Sequence, residues 1–266
     1  MIVIDNKWLE SHLKNDNLVI IDARGKFAHR FGHIEKSIPL DIDQVISIAN
    51  NGSHLVLEQQ YVEKLFSNLG INNSKTVVVY GEYPDPSAAR VVWTLNYFGH
   101  QNVKLLDIGF NQWQKLRLPI NHYDKSWSEK TNVLSENLIS KFTIKINPSI
   151  RADAEMITEK QENSNVAIVD ARTPQEHIQA RIPGSILNNW ENGLGDYGKM
   201  IKDKDILKNE FSEKGITPDK EIICYCHSGM RASHTYLQLK HAGFPNVRLY
   251  DGSMIDWVQR RKSIEQ

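Results

Sequence analysis

An internal repeat constrains this chain more than any other feature of its sequence. Three blocks of the first half recur in the same order in the second half: LVIIDAR and NVAIVDAR, GINNSKTVVVYG and GITPDKEIICYC, NVKLLDIGFNQW and NVRLYDGSMIDW. Residues in them match at nearly constant spacing, as in Asp22 with Asp170, Tyr80 with Tyr225 and Asp107 with Asp251. Such a spacing is too long for the unit of a solenoid. The pattern therefore predicts a duplicated domain.

The repeat sets the predicted domain organisation of the 266 residues. We predict one domain over 1–120, a linker over 121–144 and a second domain over 145–266. Much of the linker is polar and charged without steady periodicity, which is typical of connecting segments. Trp127 and Phe142 indicate that parts of this linker pack on the protein surface.

Within each half, short apolar runs alternate with segments of helical spacing. Leu18–Ile21 and Val77–Tyr80 are too short for helices and rich in β-branched residues, so they indicate buried strands. Tyr61–Leu69 and Ala88–Phe98 have helical spacing and end near glycines. The alternation predicts an α/β fold, in which each half has a mainly parallel sheet with helices on both faces. Such sheets bind ligands beyond the carboxyl ends of their strands.

Composition excludes several classes of protein. Thirty-two lysines and arginines balance thirty-two aspartates and glutamates, which argues against nucleic acid as a partner. No apolar run approaches the ~18 residues of a transmembrane helix, and Asp5 and Lys7 lie where a signal peptide has its apolar run. Two cysteines, Cys224 and Cys226, cannot form a disulfide framework. We therefore expect a cytoplasmic protein with no membrane partner.

One loop of the second half carries the candidate chemistry. Cys226–Arg231 (CHSGMR) follows a predicted strand and precedes a helix predicted to begin at Ala232. The start of a helix offers unpaired N–H groups and a partial positive charge, and Gly229 permits a tight turn there. Arg231 supplies a permanent cation nearby. Since these features favour a thiolate over a thiol, we predict that Cys226 is a nucleophile.

The remaining cysteine and histidine residues indicate no second site. Cys224 lies in the middle of a predicted strand, where we expect it to pack as a small hydrophobic residue. His33 is interpreted as a turn residue. A metal site would have to draw on a set that lacks the paired spacing of zinc ligands, namely Cys224, Cys226, His227, His234 and His241. We expect neither a metal nor a cofactor.

These motifs resemble those of the rhodanese sulfurtransferases in their two-domain form, over nearly the whole chain. The similarity lies in Asp170–Arg172, in the RIPGS turn at 181–185, in the loop Cys226–Arg231, and in the DGS segment at 251–253 with Trp257. Arg181 replaces the family's usual histidine. The resemblance implies two rhodanese-like domains and a ping-pong sulfur transfer. In that scheme Cys226 takes the outer sulfur of a donor such as thiosulfate, and its persulfide passes that sulfur to a thiophilic acceptor such as cyanide.

The resemblance also implies roles for the neighbours of Cys226. Substrate binding falls to the rest of the loop, namely His227, Ser228, Gly229, Met230 and Arg231. Arg231 and His227 would attract a dianionic donor, while the backbone N–H groups of the loop would hold the persulfide. Asp170 and Arg172 are expected to brace the loop. The implied partners are a small-molecule sulfur donor and acceptor, with a thiol protein as an alternative acceptor.

The first half departs from this pattern at the decisive position. Gly81 stands where Cys226 stands, and the loop that follows contains two prolines. Prolines remove N–H donors, and Glu82 and Asp85 would repel an anion. We predict that the first domain is catalytically inactive, covers the active domain and forms one wall of its cleft.

Three alternatives stay open. The donor could be 3-mercaptopyruvate, although the charge of Arg231 favours thiosulfate. Sulfurtransferases that use 3-mercaptopyruvate typically have the loop CGSGVT, and the vertebrate thiosulfate type has two basic residues in its loop. The loop CHSGMR matches neither of them. The chain could be a sulfur carrier that loads Cys226 once for a dedicated protein partner. A cysteine phosphatase or arsenate reductase is disfavoured, because those loops place five residues between cysteine and arginine and this loop places four.

Overall fold

The computed structural model describes residues 2–50, 52–122 and 141–266. The chain divides into two compact units, one of Met1–Val45 with Leu57–Ile146 and one of Ile46–Val56 with Asn147–Gln266. Most of the linker predicted over 121–144 lies outside the described residues, as does Trp127. The domain boundaries therefore stay a prediction.

Both units are built from short strands and helices that alternate along the chain. In chain order, the strands are β1 (Val3–Ile4), β2 (Leu18–Asp22), β3 (His33–Ile34), β4 (Ser37–Pro39), β5 (Ile46–Ile48), β6 (His54–Val56), β7 (Thr76–Tyr80), β8 (Val103–Leu106), β9 (Ile120–Asn121), β10 (Arg151–Ala152), β11 (Val166–Asp170), β12 (Ile186–Leu187), β13 (Glu221–Tyr225) and β14 (Val247–Tyr250). The α-helices are α1 (Asn6–His12), α2 (Gly25–Arg30), α3 (Gln59–Asn68), α4 (Ser87–Tyr97), α5 (Phe110–Lys115), α6 (Ala154–Lys160), α7 (Pro174–Gln179), α8 (Lys204–Glu213), α9 (Met230–His241) and α10 (Ser253–Gln259).

The first unit has a parallel sheet in the order β1-β8-β7-β2-β4. Val78 and Tyr80 of β7 join Leu9 of α1 and Trp113 of α5 in one buried cluster. Helix α4 contacts β7 and β8. Because side chains alternate along a strand, a sheet that is covered on both faces has buried residues at every position, and the last four residues of β7 are all buried.

The second unit repeats this arrangement with a parallel sheet in the order β10-β14-β13-β11-β12. Ile223 and Tyr225 of β13 share a buried cluster with Ile157 of α6 and Trp257 of α10. Helix α9 contacts β13 and β14. In the register of the central pair, Asp170 at the end of β11 lies beside Tyr225 at the end of β13. The predicted α/β architecture of the two halves is confirmed.

Several details differ from the sequence prediction or add to it. His33, interpreted as a turn residue, lies in the two-residue strand β3 and is buried, with its ring stacked on His29. Phe142, which was expected to pack on the protein surface, is fully buried and packs edge-on against Phe66. Among the described residues, no helix is long and apolar enough to cross a membrane.

Candidate active site

The candidate nucleophile lies in the turn between β13 and α9. Strand β13 ends at Tyr225 and α9 begins at Met230. The helix start predicted at Ala232 is therefore wrong by two residues, and Met230 and Arg231 belong to the first helical turn. Gly229 precedes the helix with φ 86°, in the left-handed region that glycine adopts at little cost. The chain thus reverses within residues 226–229.

The sulfur of Cys226 lies in a turn that directs a backbone donor at it. Cys226 is 1% exposed, and the N–H of Gly229 donates to its Sγ at 3.1 Å. The turn leads into α9, whose N-terminus carries a partial positive charge. A backbone donor and a helix N-terminus together stabilise negative charge at the sulfur. The geometry suits a thiolate, or an anion carried on that sulfur.

Ser253 is a residue of this site that the sequence analysis noted only as part of a motif. Its Oγ accepts the N–H of Cys226 at 3.0 Å and lies 4.0 Å from Sγ. The next two N–H groups, of Met254 and Ile255, donate to the carbonyls of Cys226 and His227 at 3.1 and 3.2 Å. The first turn of α10 therefore fixes the backbone on either side of the Cys226 side chain.

Arg231 forms a two-pronged ion pair with Glu176 of α7. Its Nη1 and Nη2 donate to Oε2 and Oε1, each at 2.7 Å. These hydrogen bonds lower the pKa of Glu176 to about 2, so that the carboxylate is ionised at neutral pH. Arg231 is the permanent cation that the sequence predicts, and the structure adds that Glu176 balances its charge.

Asp170 and Arg172 are buried beneath the turn. Asp170 Oδ2 accepts from Arg172 Nη2 at 2.6 Å and from the hydroxyl of Tyr225 at 2.9 Å, and His177 Nδ1 lies 2.9 Å away. Burial raises the pKa of Tyr225, and the charge of Asp170 adds to the effect. Arg172 also donates to the carbonyl of Ala180 at 2.7 Å. Since Tyr225 directly precedes Cys226, this cluster holds the end of β13 in place.

The other residues predicted to bind substrate differ in their exposure to solvent. His227 is exposed, Ser228 and Met230 are partly exposed, and Gly229 is buried. A groove of about 470 Å³ opens beside the turn. It is lined by Arg172, Glu176, Gln179, Ala180, His227, Met254, Ile255, Val258 and Gln259. The groove combines polar groups near His227 with an apolar side from α10.

The second cysteine, Cys224, lies in the strand that precedes the turn. Cys224 is completely buried in β13, and burial, followed by the nearby Cys226, raises the pKa of its thiol. It therefore stays protonated, which agrees with its predicted packing role.

Within the part of the chain that the structure describes, no group of three histidine, cysteine, aspartate or glutamate side chains is placed to hold a metal ion.

Comparison with known proteins decides the family. The sequence profile of the Rhodanese-like domain matches twice, over residues 5–116 and 153–260. This chain belongs to the rhodanese family of sulfurtransferases. The two matches cover most of the chain and coincide with the two copies of the internal repeat.

Individual rhodanese relatives are similar over almost the full length. A protein of Mycolicibacterium smegmatis named "Putative thiosulfate sulfurtransferase" is 30% identical over 96% of this chain and 94% of its own. A 3-mercaptopyruvate sulfurtransferase of Mus musculus is 30% identical over 90% of this chain and 80% of its own. The crystal structure of SseA from Escherichia coli, described as a rhodanese fold, superposes with a TM-score of 0.81 at 27% identity, covering 95% of this chain and 98% of that one.

The first rhodanese repeat keeps the buried cluster that adjoins the Cys226 turn in the second repeat. Asp22 Oδ2 accepts from Arg24 Nη2 at 2.6 Å and from the hydroxyl of Tyr80 at 2.7 Å, and His29 Nδ1 lies 3.0 Å away. These residues match Asp170, Arg172, Tyr225 and His177 of the second repeat. The cluster is therefore common to both repeats, although only the second has a cysteine in the turn beside it.

The turn itself is not kept in the first repeat. Gly81 occupies the position of Cys226, and Glu82 Oε1 accepts the N–H groups of Tyr83 and Asn111. A pocket of about 770 Å³ lies beside this loop, with Asp41 and Asp43 in its lining together with Glu82. The pocket beside this loop is thus lined by carboxylates, including Glu82 of the loop itself.

Proposed function

We propose that this rhodanese is a thiosulfate sulfurtransferase that works through a persulfide on Cys226. The thiolate of Cys226 attacks the outer sulfur of thiosulfate and forms a new S–S bond. The S–S bond of thiosulfate breaks, and its electron pair leaves on sulfite. In the second half-reaction a thiophilic acceptor such as cyanide attacks the outer sulfur, and the electron pair of the persulfide bond returns to Cys226 as a thiolate.

The observation that carries this proposal is the hydrogen bond from the Gly229 N–H to the Cys226 sulfur at 3.1 Å. A donor fixed at the sulfur needs no reorganisation as negative charge moves onto it. The backbone N–H groups from Ser228 to Arg231 would hold the outer persulfide sulfur in the same way. The turn therefore favours both the attacking thiolate and the covalent intermediate.

The side chains around the turn have distinct proposed roles. His227, exposed beside the groove, meets the incoming donor. Arg231 orients it from the first turn of α9, with its guanidinium held by Glu176. Asp170 and Arg172 brace the turn from below and do not contact the transferred sulfur. The first repeat, with Gly81 in place of the nucleophile, contributes no catalytic group.

A second donor, 3-mercaptopyruvate, is favoured by the Arg231–Glu176 ion pair. The preference for a dianion depends on the positive charge of Arg231, and the ion pair with Glu176 offsets that charge. The mouse relative is named for this donor. With it, attack by Cys226 on the mercaptopyruvate sulfur breaks the C–S bond, and the electron pair passes to the enolate of pyruvate, which then takes up a proton.

A non-turnover role is the third candidate. A relative of Thermus thermophilus that is 27% identical over 96% of this chain is named Sulfur carrier protein TtuD. A carrier would load Cys226 once and release sulfur only to a protein partner. An enzyme would turn over many times with a small thiophilic acceptor.

Mass spectrometry of the protein after separate incubation with each donor tests the proposal. We expect a gain of one sulfur atom on the peptide that contains Cys226, and its loss when cyanide is added. Because Cys224 lies on the same peptide, Cys226→Ser serves as the control and should gain nothing. Thiocyanate released over many cycles would identify an enzyme, whereas one equivalent would identify a carrier. A peptide that gains no sulfur from either donor would refute the proposed function.

A further inference from the structure

Glu176 occupies a fixed position beside the nucleophilic turn. It is the third residue of α7, where its carboxylate accepts from the N–H and hydroxyl of Thr173 at 3.1 and 3.0 Å, and its own N–H donates to the Thr173 hydroxyl. This reciprocal capping box fixes the start of the helix. The same carboxylate also accepts hydrogen bonds from both Nη1 and Nη2 of Arg231. Glu176 is therefore held from two sides.

The carboxylate is accessible to a ligand as well as to its partners. The side chain of Glu176 is 31% exposed and lines the groove beside the turn, together with His227. Arg172, which also lines this groove, is paired with Asp170. The formal charges of these two arginine–carboxylate pairs cancel. A donor anion in the groove thus meets Arg172, whose charge is balanced by Asp170, and the partly exposed carboxylate of Glu176, which stays ionised.

The two repeats of the chain act as an internal comparison. Glu176, Arg231 and Cys226 match Ala28, Ser87 and Gly81 of the first repeat, so all three are replaced together. The Asp–Arg–His–Tyr cluster beneath the turn is present in both repeats. A group needed only for folding would be expected in both. The ion pair instead accompanies the nucleophile.

We propose that Glu176 is a specificity-determining residue, which sets the preference between dianionic and monoanionic sulfur donors. This inference rests on the proposed function, in which Cys226 accepts sulfur from such donors. A negative charge in the groove repels a dianion such as thiosulfate twice as strongly as a monoanion such as 3-mercaptopyruvate at the same distance. Glu176 therefore offsets the attraction of Arg231 for thiosulfate and admits the carboxylate-bearing donor.

Steady-state kinetics of Glu176→Gln with both donors tests this inference. Glutamine keeps the capping box, since it can occupy the third helical position as glutamate does, but it removes the charge. We expect kcat/KM for thiosulfate relative to that for 3-mercaptopyruvate to rise about fivefold or more, mainly through KM. The shift should shrink at high salt, because added ions screen charges near the surface.

Two further variants separate charge from structure. Glu176→Asp keeps the charge, so the donor ratio should stay near that of the wild type even if the overall rate falls. Glu155→Gln removes a carboxylate of a surface ion pair with Arg260 and should leave the ratio unchanged. An equal loss for both donors in Glu176→Gln, with an unaltered ratio, would show that Glu176 only holds Arg231 in place and would overturn the inference. Absence of persulfide on wild-type Cys226 would refute the proposed function instead.

Discussion

The hydroxyl oxygen of Ser253 accepts the backbone N–H of Cys226 at 3.0 Å, while the same hydroxyl donates to the carbonyl of Tyr250 at 2.8 Å. Ser253 adopts φ 53°, a left-handed conformation that costs a residue with a side chain about 1–2 kcal/mol. The buried N–H of Cys226 would lack this acceptor if the side chain were absent. The strain at Ser253 thus accompanies a hydrogen bond that holds the backbone of Cys226, the proposed nucleophile.

We predict that Ser253→Ala slows persulfide formation on Cys226 by about tenfold, because a misplaced nucleophile raises the barrier by about 1.4 kcal/mol. The unsatisfied N–H should also lower the free energy of unfolding by about 1–3 kcal/mol. Stopped-flow measurement of sulfite release and urea unfolding check the two effects.

The matched variant Ser253→Gly relieves the left-handed strain but also removes the hydroxyl. It should be more stable than Ser253→Ala and equally slow in sulfur transfer. A glycine variant with wild-type rates would show that the hydroxyl has no role in positioning Cys226.

Substitution of the two cysteines should separate chemistry from packing. Cys226→Ser should abolish sulfur transfer and leave the fold intact, since the change is small and near-isosteric. Cys224→Ala should keep full activity and lose about 1 kcal/mol of stability, because Cys224 is completely buried in β13. Thiocyanate production and circular dichroism of both variants provide the measurements. Turnover at the wild-type rate in Cys226→Ser would show that a different residue is the nucleophile.

The strands and the position of Cys226 could be predicted from the sequence because both depend on local patterns. Runs such as Ile222–Tyr225 are too short and too rich in β-branched residues for helices, and the observed strand begins only one residue earlier. The repeat then places Cys226 after a strand in the second half and Gly81 at the same place in the first. Periodicity and repetition were sufficient for this part.

The ion pair and the conformation of Ser253 could not be predicted, because they depend on tertiary packing. Thr173 and Glu176 form a capping-box pattern that the sequence does display. The partner of Glu176 is Arg231, however, 55 residues away. At the DGS segment the glycine suggests the unusual backbone, yet Gly252 is helical with φ −65° and Ser253 carries the positive φ.

Gly229 of the Cys226 turn and Gly81, which aligns with Cys226, should respond differently to alanine. Gly229 has φ 86°, so Gly229→Ala introduces about 1–2 kcal/mol of strain and displaces the N–H that faces the Cys226 sulfur. We expect a clear loss of sulfur transfer. Gly81→Ala meets the Cβ of Ala88 at 3.2 Å, a tight contact with no positive φ, and should slightly lower stability without affecting turnover. A large loss of activity in Gly81→Ala would show that the first repeat is not silent.

His234 of α9 is buried completely, with its Nδ1 2.8 Å from the side-chain amide nitrogen of Gln238 and its ring edge-on to Trp190. Burial lowers the pKa of His234 to about 3, because the protonated ring would have to leave water. In the unfolded chain the ring titrates near its usual value of about 6.5. Folding therefore requires the neutral form.

The stability contributed by neutral His234 is fully present above about pH 6.5 and is lost as the pH falls toward 3, since the unfolded chain binds the proton first. Between pH 7 and pH 5, the free energy of unfolding of the wild type should fall by about 2 kcal/mol more than that of His234→Leu. Urea unfolding at several pH values measures both proteins. Above pH 7 their difference should be independent of pH. If the free energies of unfolding of the wild type and His234→Leu changed in parallel down to pH 5, His234 would be shown to take up its proton in the folded protein as well.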